Sequence, residues 1–310
     1  MDRLLAMKVF TSVVEAGSFS RAAEQLHISN TAASRHVAEL EQHLGVRLLQ
    51  RSTRRLSLTD AGANYYERCR HILTDVEDAE ATAGSAEGQV RGSLRISLPH
   101  SFGLLYVAPL IPEFCRRYPH LHLELNFSDG LTDLVEEGVD LALRIALDIN
   151  TTLVARKLTE IRIVCCASPA YLARAGEPTA PEELARHACL TYAYAERGDT
   201  WRFQNDGGEY AVSVKGEFRA NNGEMIRLAG LAGQGIMLQP TFLVGDDLRA
   251  GGLVQILPTY QVANRAAYAV FLPAARRSAR VRAMVDFLLE AFGQGEPPWD
   301  RGLFQAGQKA

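Results

Sequence analysis

The chain has 310 residues, 47% hydrophobic and 22% charged, with a net charge of -3 at pH 7. This length holds two or three domains with sizeable cores, and the composition is that of an ordinary globular protein. The apolar runs fall far short of the ~20 residues that span a bilayer, so no membrane partner is expected.

Cysteine usage points to a reducing compartment. The five cysteines show no Cys-x-x-Cys and no regular spacing. Together with the missing signal peptide, this predicts free thiols and a cytoplasmic location. Cys165 and Cys166 lie in an apolar strand and are expected to be inert core. A redox-sensing cysteine is the alternative, but none lies in an evidently electropositive, exposed context.

Three helices are predicted at the N-terminus. The first covers residues 3–16 and ends at Gly17. Ser20 is a good N-cap for a short helix over 21–26, and His27 and Ile28 make the turn that follows. Ser29 can cap a third helix running to about Leu44 and stopping at Gly45, a residue suited to a left-handed C-terminal position.

The third helix has two different faces. Its apolar stripe consists of Ala33, Val37, Leu40 and Leu44. Its other face is short-chained or hydrogen-bonding near the helix N-terminus, where a recognition helix meets base edges: Asn30, Thr31, Ser34, Arg35 and Ala38. An ordinary helix pair with a solvated polar face is the alternative reading.

The segment after this helix favours a nucleic-acid partner. Between Arg47 and Arg55 there are four arginines and no acid, and Leu56 and Leu58 alternate as in a strand. A hairpin there would place guanidinium groups beside a polyanion backbone. The first 60 residues carry eight basic and six acidic side chains, a local net charge of +2 that outweighs the overall negative charge.

Residues 4 to 62 resemble the winged helix-turn-helix of LysR-type transcriptional regulators. The matching positions are Phe10, Ser18, Phe19, Ala22, Ala23, Leu26, Ser34, Glu41, Leu44, Gly45, Leu48, Arg51, Arg54, Leu58, Thr59, Ala61 and Gly62. The departures are Asn30 for Gln, Thr31 for Pro, Val37 for Ile and Leu49 for Phe. The shorter Asn30 leaves the operator sequence open. The DNA-binding residues expected are Ser20, Asn30, Thr31, Ser34, Arg35, Arg51, Thr53 and Arg54.

A long helix from about Ala61 to Ala86, capped by Thr59 and Asp60, is predicted next. Tyr65, Cys69, Ile72, Val76, Ala79 and Ala83 have heptad a/d spacing, which favours a dimer seam formed by Tyr65, Cys69, Ile72, Val76 and Ala79. A lone amphipathic helix packed on its own domain is the alternative. Dimerisation would set two reading heads on one face of a duplex.

Beyond glycines 84, 88 and 92, short strands alternate with helices, which predicts doubly wound α/β sheets. Strands are expected at 94–98, 121–127, 140–145, 153–158, 161–167, 236–239 and 267–272, and a hairpin joins Trp201–Phe203 to Tyr210–Val214. Helices are expected at 103–117, 131–137, 169–175, 181–187, 223–232, 241–249 and 278–291. Residues 93 to 291 resemble the effector-binding domain of the LysR family, which is similar in fold to periplasmic binding proteins.

The predicted organisation is therefore α/β overall, in three parts. Residues 1–60 form an all-α winged helix-turn-helix domain, and residues 61–90 form the dimerising linker helix and hinge. Residues 91–310 form a two-subdomain effector domain. Its first subdomain covers about 91–164 and 269–292 and its second about 165–268, with chain crossings near Cys165–Ala167 and Tyr268–Phe271, and residues 293–310 form a tail.

A small-molecule cleft is expected beyond the carboxyl ends of the strands, at the switch point between the two subdomains. Its candidate residues are Ser101, Phe102, Ser128, Arg144, Asn222 and Gln239. Arg144 could hold a carboxylate in a bidentate manner, or pair with Asp140 or Asp148. Ser101 and Asn222 could simply be N-caps, and Gln239 could satisfy a loop. The LysR resemblance implies an inducer cleft at this place.

No enzyme or cofactor is expected. The sequence has no G-x-S-x-G, H-E-x-x-H, G-x-x-x-x-G-K-[ST] or G-x-G-x-x-G pattern. His100 and Ser101 are adjacent but have no evident third catalytic partner. His120 and His122 could bind a metal, but no further ligand follows at a matching spacing, so no metal site is expected.

These features predict a cytoplasmic, ligand-responsive transcriptional regulator. Its expected partners are double-stranded DNA with a two-fold related operator, a small-molecule effector and a second copy of the chain. The LysR resemblance implies a homotetramer, and RNA polymerase is a further candidate partner. The alternative is a solute-binding or enzymatic α/β protein whose helical N-terminus does not bind DNA.

Overall fold

The computed structural model describes residues 1–51, 56–84, 90–130, 133–135, 137–149, 152–195, 198–293 and 295–303. Within these ranges the side chains of residues 51, 71, 75 and 77–84 are not described.

The N-terminal domain consists of three helices and a two-stranded hairpin. Its elements are α1 (Arg3–Ala16), α2 (Phe19–Gln25), α3 (Asn30–Leu44), β1 (Leu49–Arg51) and β2 (Leu56–Leu58). The strands β1 and β2 are antiparallel, which confirms the predicted hairpin, whose connecting residues 52–55 lie outside the described ranges.

Local signals set the ends of these helices. The Ser29 hydroxyl accepts a hydrogen bond from the Ala32 N–H, and Gly45 adopts a left-handed φ of 68°, so both predicted ends of α3 are confirmed. The prediction for Ser20 was wrong, because α2 begins earlier, with Ser18 at its cap position. Ser20 therefore lies inside the helix and is free to present its hydroxyl outwards.

A single long helix, α4 (Asp60–Gly84), leads out of this domain. Thr59 Oγ1 accepts from the Gly62 N–H at 2.9 Å and donates to the Arg47 carbonyl at 2.7 Å. Thr59 thus caps α4 as predicted and ties its first turn to the chain that enters the hairpin.

The first sheet of the second part is built from five strands in the order β4-β3-β5-β14-β6. These are β3 (Gly92–Leu98), β4 (Leu121–Phe127), β5 (Leu141–Ala146), β6 (Val154–Ile161) and β14 (Arg265–Phe271). Strand β3 runs parallel to β4 and β5, whereas β14 is antiparallel to both β5 and β6. The helical connection from β3 to β4 consists of α5 (His100–Phe102), a π-helical turn (Gly103–Val107), a 3-10 turn (Ala108–Leu110) and α6 (Ile111–Arg117).

The second sheet has the order β11-β8-β12-β7-β13. Its strands are β7 (Ile163–Ala167), β8 (Ala188–Tyr192), β11 (Lys215–Ala220), β12 (Ile236–Pro240) and β13 (Val254–Gln255). The predicted hairpin is confirmed as β9 (Thr200–Asn205) paired with β10 (Gly208–Ser213). The helical elements are α7 (Pro169–Ala175), a 3-10 turn (Pro181–Arg186), α8 (Gly223–Leu231), α9 (Thr241–Ala250), a second 3-10 turn (Pro273–Arg277) and α10 (Ala279–Phe292), the last two following β14.

The chain crosses between the two sheets at different points from those predicted. Strand β6 ends at Ile161 and β7 begins at Ile163, so the first crossing is at Arg162. The return crossing lies between β13 and β14, over residues 256–264. The predicted points were too late in the chain because the apolar run 161–167 reads as one strand, whereas Arg162 divides it.

Two predicted elements have a different form. In the predicted helix 131–137, the described residues 134, 135 and 137 form turns. The predicted helix over 181–187 is a 3-10 helix that begins with Pro181. Strands β8, β11 and β13 were not predicted.

The N-terminal domain has its own buried cluster, separate from those of the effector domain. In the N-terminal domain, Ala33, Val37 and Leu40 pack beneath α1, whereas Leu44 at the end of the predicted stripe is exposed. No helix among the described residues is long and apolar enough to cross a membrane.

Candidate nucleic-acid interface and effector cleft

The start of α3 forms an outward polar face. Asn30, Thr31 and Arg35 are exposed and Ser34 is half-buried. The apolar stripe of the same helix is buried against α1, so this polar face has no role in the core. The structure therefore brings four of the predicted base-reading residues onto one accessible surface.

Ser20 on α2 belongs to the same surface. Its Oγ accepts a hydrogen bond from Asn30 Nδ2 at 3.3 Å. This hydrogen bond orients the Asn30 side chain, while its second amide hydrogen and its carbonyl oxygen stay available for further hydrogen bonds. The Ser20 hydroxyl thus positions the candidate base-reading amide.

Arg35 is the most prominent cation of this face, with 67% of its side chain exposed. Its Nε lies 3.8 Å from Glu39 Oε1, one helical turn further on. An exposed pair of this kind contributes little and is readily exchanged for another anion. Arg35 can therefore turn from Glu39 to a base edge or a phosphate at small cost.

The hairpin is anchored to α3 by a carboxylate. Glu41 Oε1 accepts hydrogen bonds from the backbone N–H groups of Leu48 and Leu49. Of the predicted wing residues, Arg51 ends β1 and its side chain is not described, whereas Thr53 and Arg54 lie outside the described residues. Their roles stay predictions.

The predicted dimer seam on α4 is only partly available. Cys69 is fully buried in the core of the N-terminal domain, and Tyr65 packs against the same core with its ring 5.9 Å from that of Phe10. The prediction for Cys69 was wrong, because its own domain already covers it. Ile72 is exposed and Val76 partly exposed, and the side chain of Ala79 is not described.

The cleft side of the first sheet is organised by Asp129. This residue follows β4, and its Oδ1 accepts a hydrogen bond from the His100 N–H at 2.7 Å, which joins two neighbouring strand ends. Ser128 Oγ accepts from the Gly130 N–H at 3.2 Å, so its hydroxyl braces this turn. Ser101, at the start of the neighbouring helical connection, is half-buried.

Arg144 on β5 is a partly buried cation on the same side. Burial lowers its pKa, and the nearby carboxylates of Glu137 and Asp129 oppose that shift. Of the two carboxylates considered from the sequence, Asp140 accepts a hydrogen bond from the Arg95 N–H at 2.8 Å. An effector role for Arg144 stays a prediction.

The prediction for Phe102 was wrong. Its side chain is fully buried, with ring centroids 5.3 Å from Phe242 and 5.6 Å from each of Phe292 and Trp299. It packs in an aromatic cluster because the first turn after β3 faces the core rather than the opening. Tyr106, in the same cluster, donates a hydrogen bond to the Phe242 carbonyl at 3.1 Å and so joins the two subdomains.

Of the two candidates from the second subdomain, Asn222 has a structural role. Asn222 Oδ1 accepts from the Met225 N–H at 3.1 Å, so it caps α8, which is the alternative that the sequence left open. Gln239 is buried at the end of β12, opposite Val164. A ligand role for either residue stays a prediction.

Sequence reasoning missed two tyrosines that lie across the cleft. Tyr192 ends β8, and its pKa is raised by burial and by the charge of Asp129, to which it hydrogen-bonds. Tyr194, whose ring centroid lies 6.0 Å from that of Tyr192, is half exposed. Strand β8 was not predicted, so Tyr192 was not recognised as a strand end. The available signal was the short buried run Cys189-Leu190-Thr191, which ends in the strand-favouring pair Thr191-Tyr192.

Among the described residues no group of three or more His, Cys, Asp or Glu side chains could hold a metal ion. Cys165 and Cys166 are buried, as expected, and burial raises the pKa of both thiols.

Comparison with known proteins covers both parts of the chain. The model of the bacterial regulatory helix-turn-helix protein of the lysR family matches residues 4–63, and that of the LysR substrate binding domain matches residues 87–293. Among named relatives, the HTH-type transcriptional regulator CrgA of Neisseria meningitidis serogroup C is 40% identical over 289 residues, covering 93% of this chain and 96% of its own. DmlR of Escherichia coli K12, also an HTH-type transcriptional regulator, is 37% identical and covers 94% of this chain and 95% of its own.

A solved structure of CrgA from Neisseria meningitidis, described as a LysR-type transcriptional regulator, shows the same arrangement. It is 38% identical, covers 94% of this chain and 99% of that one, and superposes with a TM-score of 0.60. These relatives are transcriptional regulators, and the match covers nearly their whole length.

Proposed function

Since the chain belongs to the LysR family of DNA-binding transcriptional regulators, we propose that the start of α3 reads its operator. The observation that carries this is the exposed polar face of Asn30, Thr31 and Arg35, with Ser20 holding Asn30 in place. Ser34, at the half-buried edge of that face, is assigned to the same surface. Arg51, Thr53 and Arg54 are assigned to phosphates or the minor groove, because the sequence from 47 to 55 holds four arginines and no acid.

Gel shifts with a duplex selected from random DNA by the wild-type protein test this assignment. Arg35→Ala is expected to cost ~1–3 kcal/mol on the selected duplex and to relax its base preference, because a base-reading group discriminates between sequences. Glu39→Gln is the matched control: it removes the ion pair of Arg35 but leaves the guanidinium, so base preference should persist. Equal losses for Arg35→Ala on selected and random duplexes would contradict base reading.

The role of the wing is tested by the salt dependence of DNA binding. Arg54→Ala should weaken binding to all sequences alike and flatten the slope of log affinity against log salt by about one unit. A loss confined to the selected duplex would instead make Arg54 a base-reading residue.

For the effector, we propose a small molecule with an anionic group that is bound by Arg144 between the two subdomains. Support comes from the position of this cation near Asp129 and from Tyr192, which comes from the other subdomain and bonds Asp129. A ligand that separates Asp129 from Tyr192 would favour a different subdomain pose, and a ligand shifts states only when it binds them unequally.

A thermal-shift screen with small organic acids and aromatic acids tests this site, because a bound ligand raises apparent stability by mass action. A hit should stabilise the wild type and the surface variant Lys157→Ala, but not Arg144→Gln. Affinity for the selected duplex should survive Arg144→Gln. If DNA binding collapses with that variant, Arg144 has a structural role instead.

Members of this family act as oligomers, and we propose that Ile72 and Val76 form the dimer seam of this chain, with further association into a tetramer. Both side chains are on the side of α4 that its own N-terminal core leaves accessible. Ile72→Glu should give monomers in sedimentation velocity, whereas Ala63→Glu, exposed on the opposite face of the same helix, should not. The proposed setting is the cytoplasm, with RNA polymerase as the partner at the target promoter.

A further inference from the structure

The linker helix α4 is held against the first subdomain by four charged side chains. Glu67 and Arg70 come from α4, Arg95 from β3 and Glu124 from β4. We call these four residues the charge ring. Arg95 donates from Nε to Glu124 Oε2 at 2.6 Å and lies 3.5 Å from Glu67 Oε2, and Arg70 lies 3.7 Å from Glu124 and 3.8 Å from Glu67. Each acid thus contacts both arginines, and two of the four contacts join the linker helix to the effector domain.

The charge ring is partly shielded from water. The exposed fraction of its side chains ranges from 17% for Arg95 to 37% for Glu124. Burial raises the pKa of Glu124, but the hydrogen bond from Arg95 and the charges of both arginines outweigh it, and the pKa is lowered. Partly buried pairs of this kind are screened less by salt than exposed ones. The charge ring is therefore able to fix the pose of α4.

Further contacts tie the charge ring to the backbone of the effector domain. Arg95 Nη1 also donates to the Glu137 carbonyl at 3.2 Å, and a side chain at Gly138 would strike Glu67. Arg280 on α10, buried to 2% exposure, donates to the Ser93 carbonyl at 3.1 Å and to the Thr74 carbonyl of α4 at 3.4 Å. Strand β3, the turn at Gly138 and helix α10 thus all contact one side of α4.

This side of α4 is opposite to the dimer seam. At about 100° per residue, Glu67, Arg70 and Thr74 project within about 60° of one another. The seam residues Ile72 and Val76 project on the other side of the helix. Docking on the effector domain and pairing with a second chain therefore use separate faces and can occur together.

The strands of the charge ring also end at the cleft. Strand β3 carries Arg95 and leads to His100, and β4 carries Glu124 and leads to Asp129. Asp140, which bonds the Arg95 N–H, directly precedes β5 with Arg144. Four or five residues of strand separate the members of each pair, roughly 13–17 Å. Three strands thus run from the charge ring to the cleft.

We propose that the charge ring is a latch between the linker helix and the effector domain, and that its opening is the step by which the effector domain changes the pose of the DNA-reading head. The first half rests on the contacts above. The second half rests on the proposed operator-reading surface of α3. Such coupling requires two states, latch closed and latch open, that differ in free energy. The ion pairs across the interface form in the closed state and so favour it.

Charge exchange in the full-length protein tests the latch. In the linker variant Glu67→Arg/Arg70→Glu the net charge and the pair within the helix are kept, while like charges face each other across the interface. In the domain variant Arg95→Glu/Glu124→Arg the other side is exchanged, and the four-fold variant restores opposite charges. The matched control is Lys157→Glu/Glu160→Lys, which exchanges a surface ion pair away from α4.

Hydrogen–deuterium exchange of peptides from residues 66–74 and 93–96 is the readout for the latch, since it needs no DNA. The linker variant should exchange about tenfold faster there than the wild type, the four-fold variant should recover most of the protection, and the control should be unchanged. Protection that survives the linker variant, or that the four-fold variant fails to recover, would overturn the latch.

The bend that each protein induces in the selected duplex, measured by circular-permutation gel shift, is the readout for the reading head. Opening the latch should alter the bend and leave base preference intact, because α3 is untouched. If exchange increases but the bend stays at its wild-type value, the latch does not control the head. Equal losses for Arg35→Ala on the selected and random duplexes would instead contradict the operator-reading surface and leave the exchange result standing.

Discussion

Glu41, in the last turn but one of α3, accepts a hydrogen bond from the backbone N–H of Leu48 at 2.8 Å, and the same Oε1 also accepts from the next N–H in the chain at 3.0 Å. Leu48 is fully buried, and the chain continues from it into β1. One carboxylate therefore fixes the angle between the candidate recognition helix and the wing.

The first prediction concerns this carboxylate. Glu41→Ala should lower the free energy of unfolding by about 2–3 kcal/mol, because it leaves two backbone donors without an acceptor. Glu41→Gln should cost less, since its amide oxygen still accepts. Urea denaturation followed by circular dichroism measures the change. Glu24→Ala, exposed on α2, is the control, and an equal loss in that variant would contradict a specific role for Glu41.

The second prediction concerns Gly62, in the first turn of α4. A Cβ there would lie 2.0 Å from the Leu48 carbonyl oxygen and 2.8 Å from its carbon. Gly62→Ala should therefore force the helix away from the hairpin and destabilise the N-terminal domain by about 1–3 kcal/mol, as overpacking does. Thermal unfolding measures the change. Asn64→Ala, exposed on the same helix, should be close to neutral in that experiment. A stabilised Gly62→Ala protein would show that the two elements are not in close contact.

The third prediction concerns the thiols. Cys115 is exposed, whereas the other four cysteines are buried. Burial raises the pKa of Cys69 to about 11 and that of Cys189 to about 12, so both stay protonated and unreactive at moderately alkaline pH. The folded protein should show one thiol that reacts rapidly with a disulfide reagent, and Cys115→Ser should remove it. Two or more rapidly reacting thiols in the native protein would contradict this arrangement.

The fourth prediction concerns Asp300, which is only 3% exposed and whose Oδ1 has no hydrogen-bond partner among the described residues. Burial raises its pKa, although Thr241 and Arg162 act in the opposite direction. An acid whose pKa is higher in the folded state binds its proton more tightly there. Stability should therefore fall as pH rises through the interval between its unfolded and folded pKa values, and the penalty is complete above it.

Asp300→Asn removes that charge and should raise the melting temperature at pH 7 by about 2–4 °C for each kcal/mol regained. The gain should shrink at a pH below the ordinary aspartate range, where the wild-type group is protonated in both states. Asp246→Asn, an exposed carboxylate on α9, serves as the control. A gain that is independent of pH would show that the charge of Asp300 is not the cause.

Features encoded in a few neighbouring residues could be predicted from the sequence. The bounds of α1 and α3 agree with the prediction because Gly17, Ser29 and Gly45 set helix ends through local geometry. Strand β4 agrees at both ends. The exposed polar face of α3 follows from helical periodicity alone, so the candidate operator-reading surface could also be identified.

Features that depend on what the chain packs against could not be predicted. The heptad pattern marks Cys69 as apolar but does not say whether its own domain or a second chain covers it. Phe102 follows a strand end, as a ligand residue would, yet three aromatic rings distant in the sequence enclose it. The charge ring joins residues from three elements, and no spacing in the sequence marks those residues as a group.

The two sheets of the effector domain are joined by two connections, Arg162 alone and the stretch 256–264. A change in the angle between the sheets must be accommodated at these two connections, at the Tyr106–Phe242 hydrogen bond, and where Arg249 of α9 donates to the Trp299 carbonyl beyond α10. Chemically different ligands that open or close the cleft would therefore all act on these same few contacts.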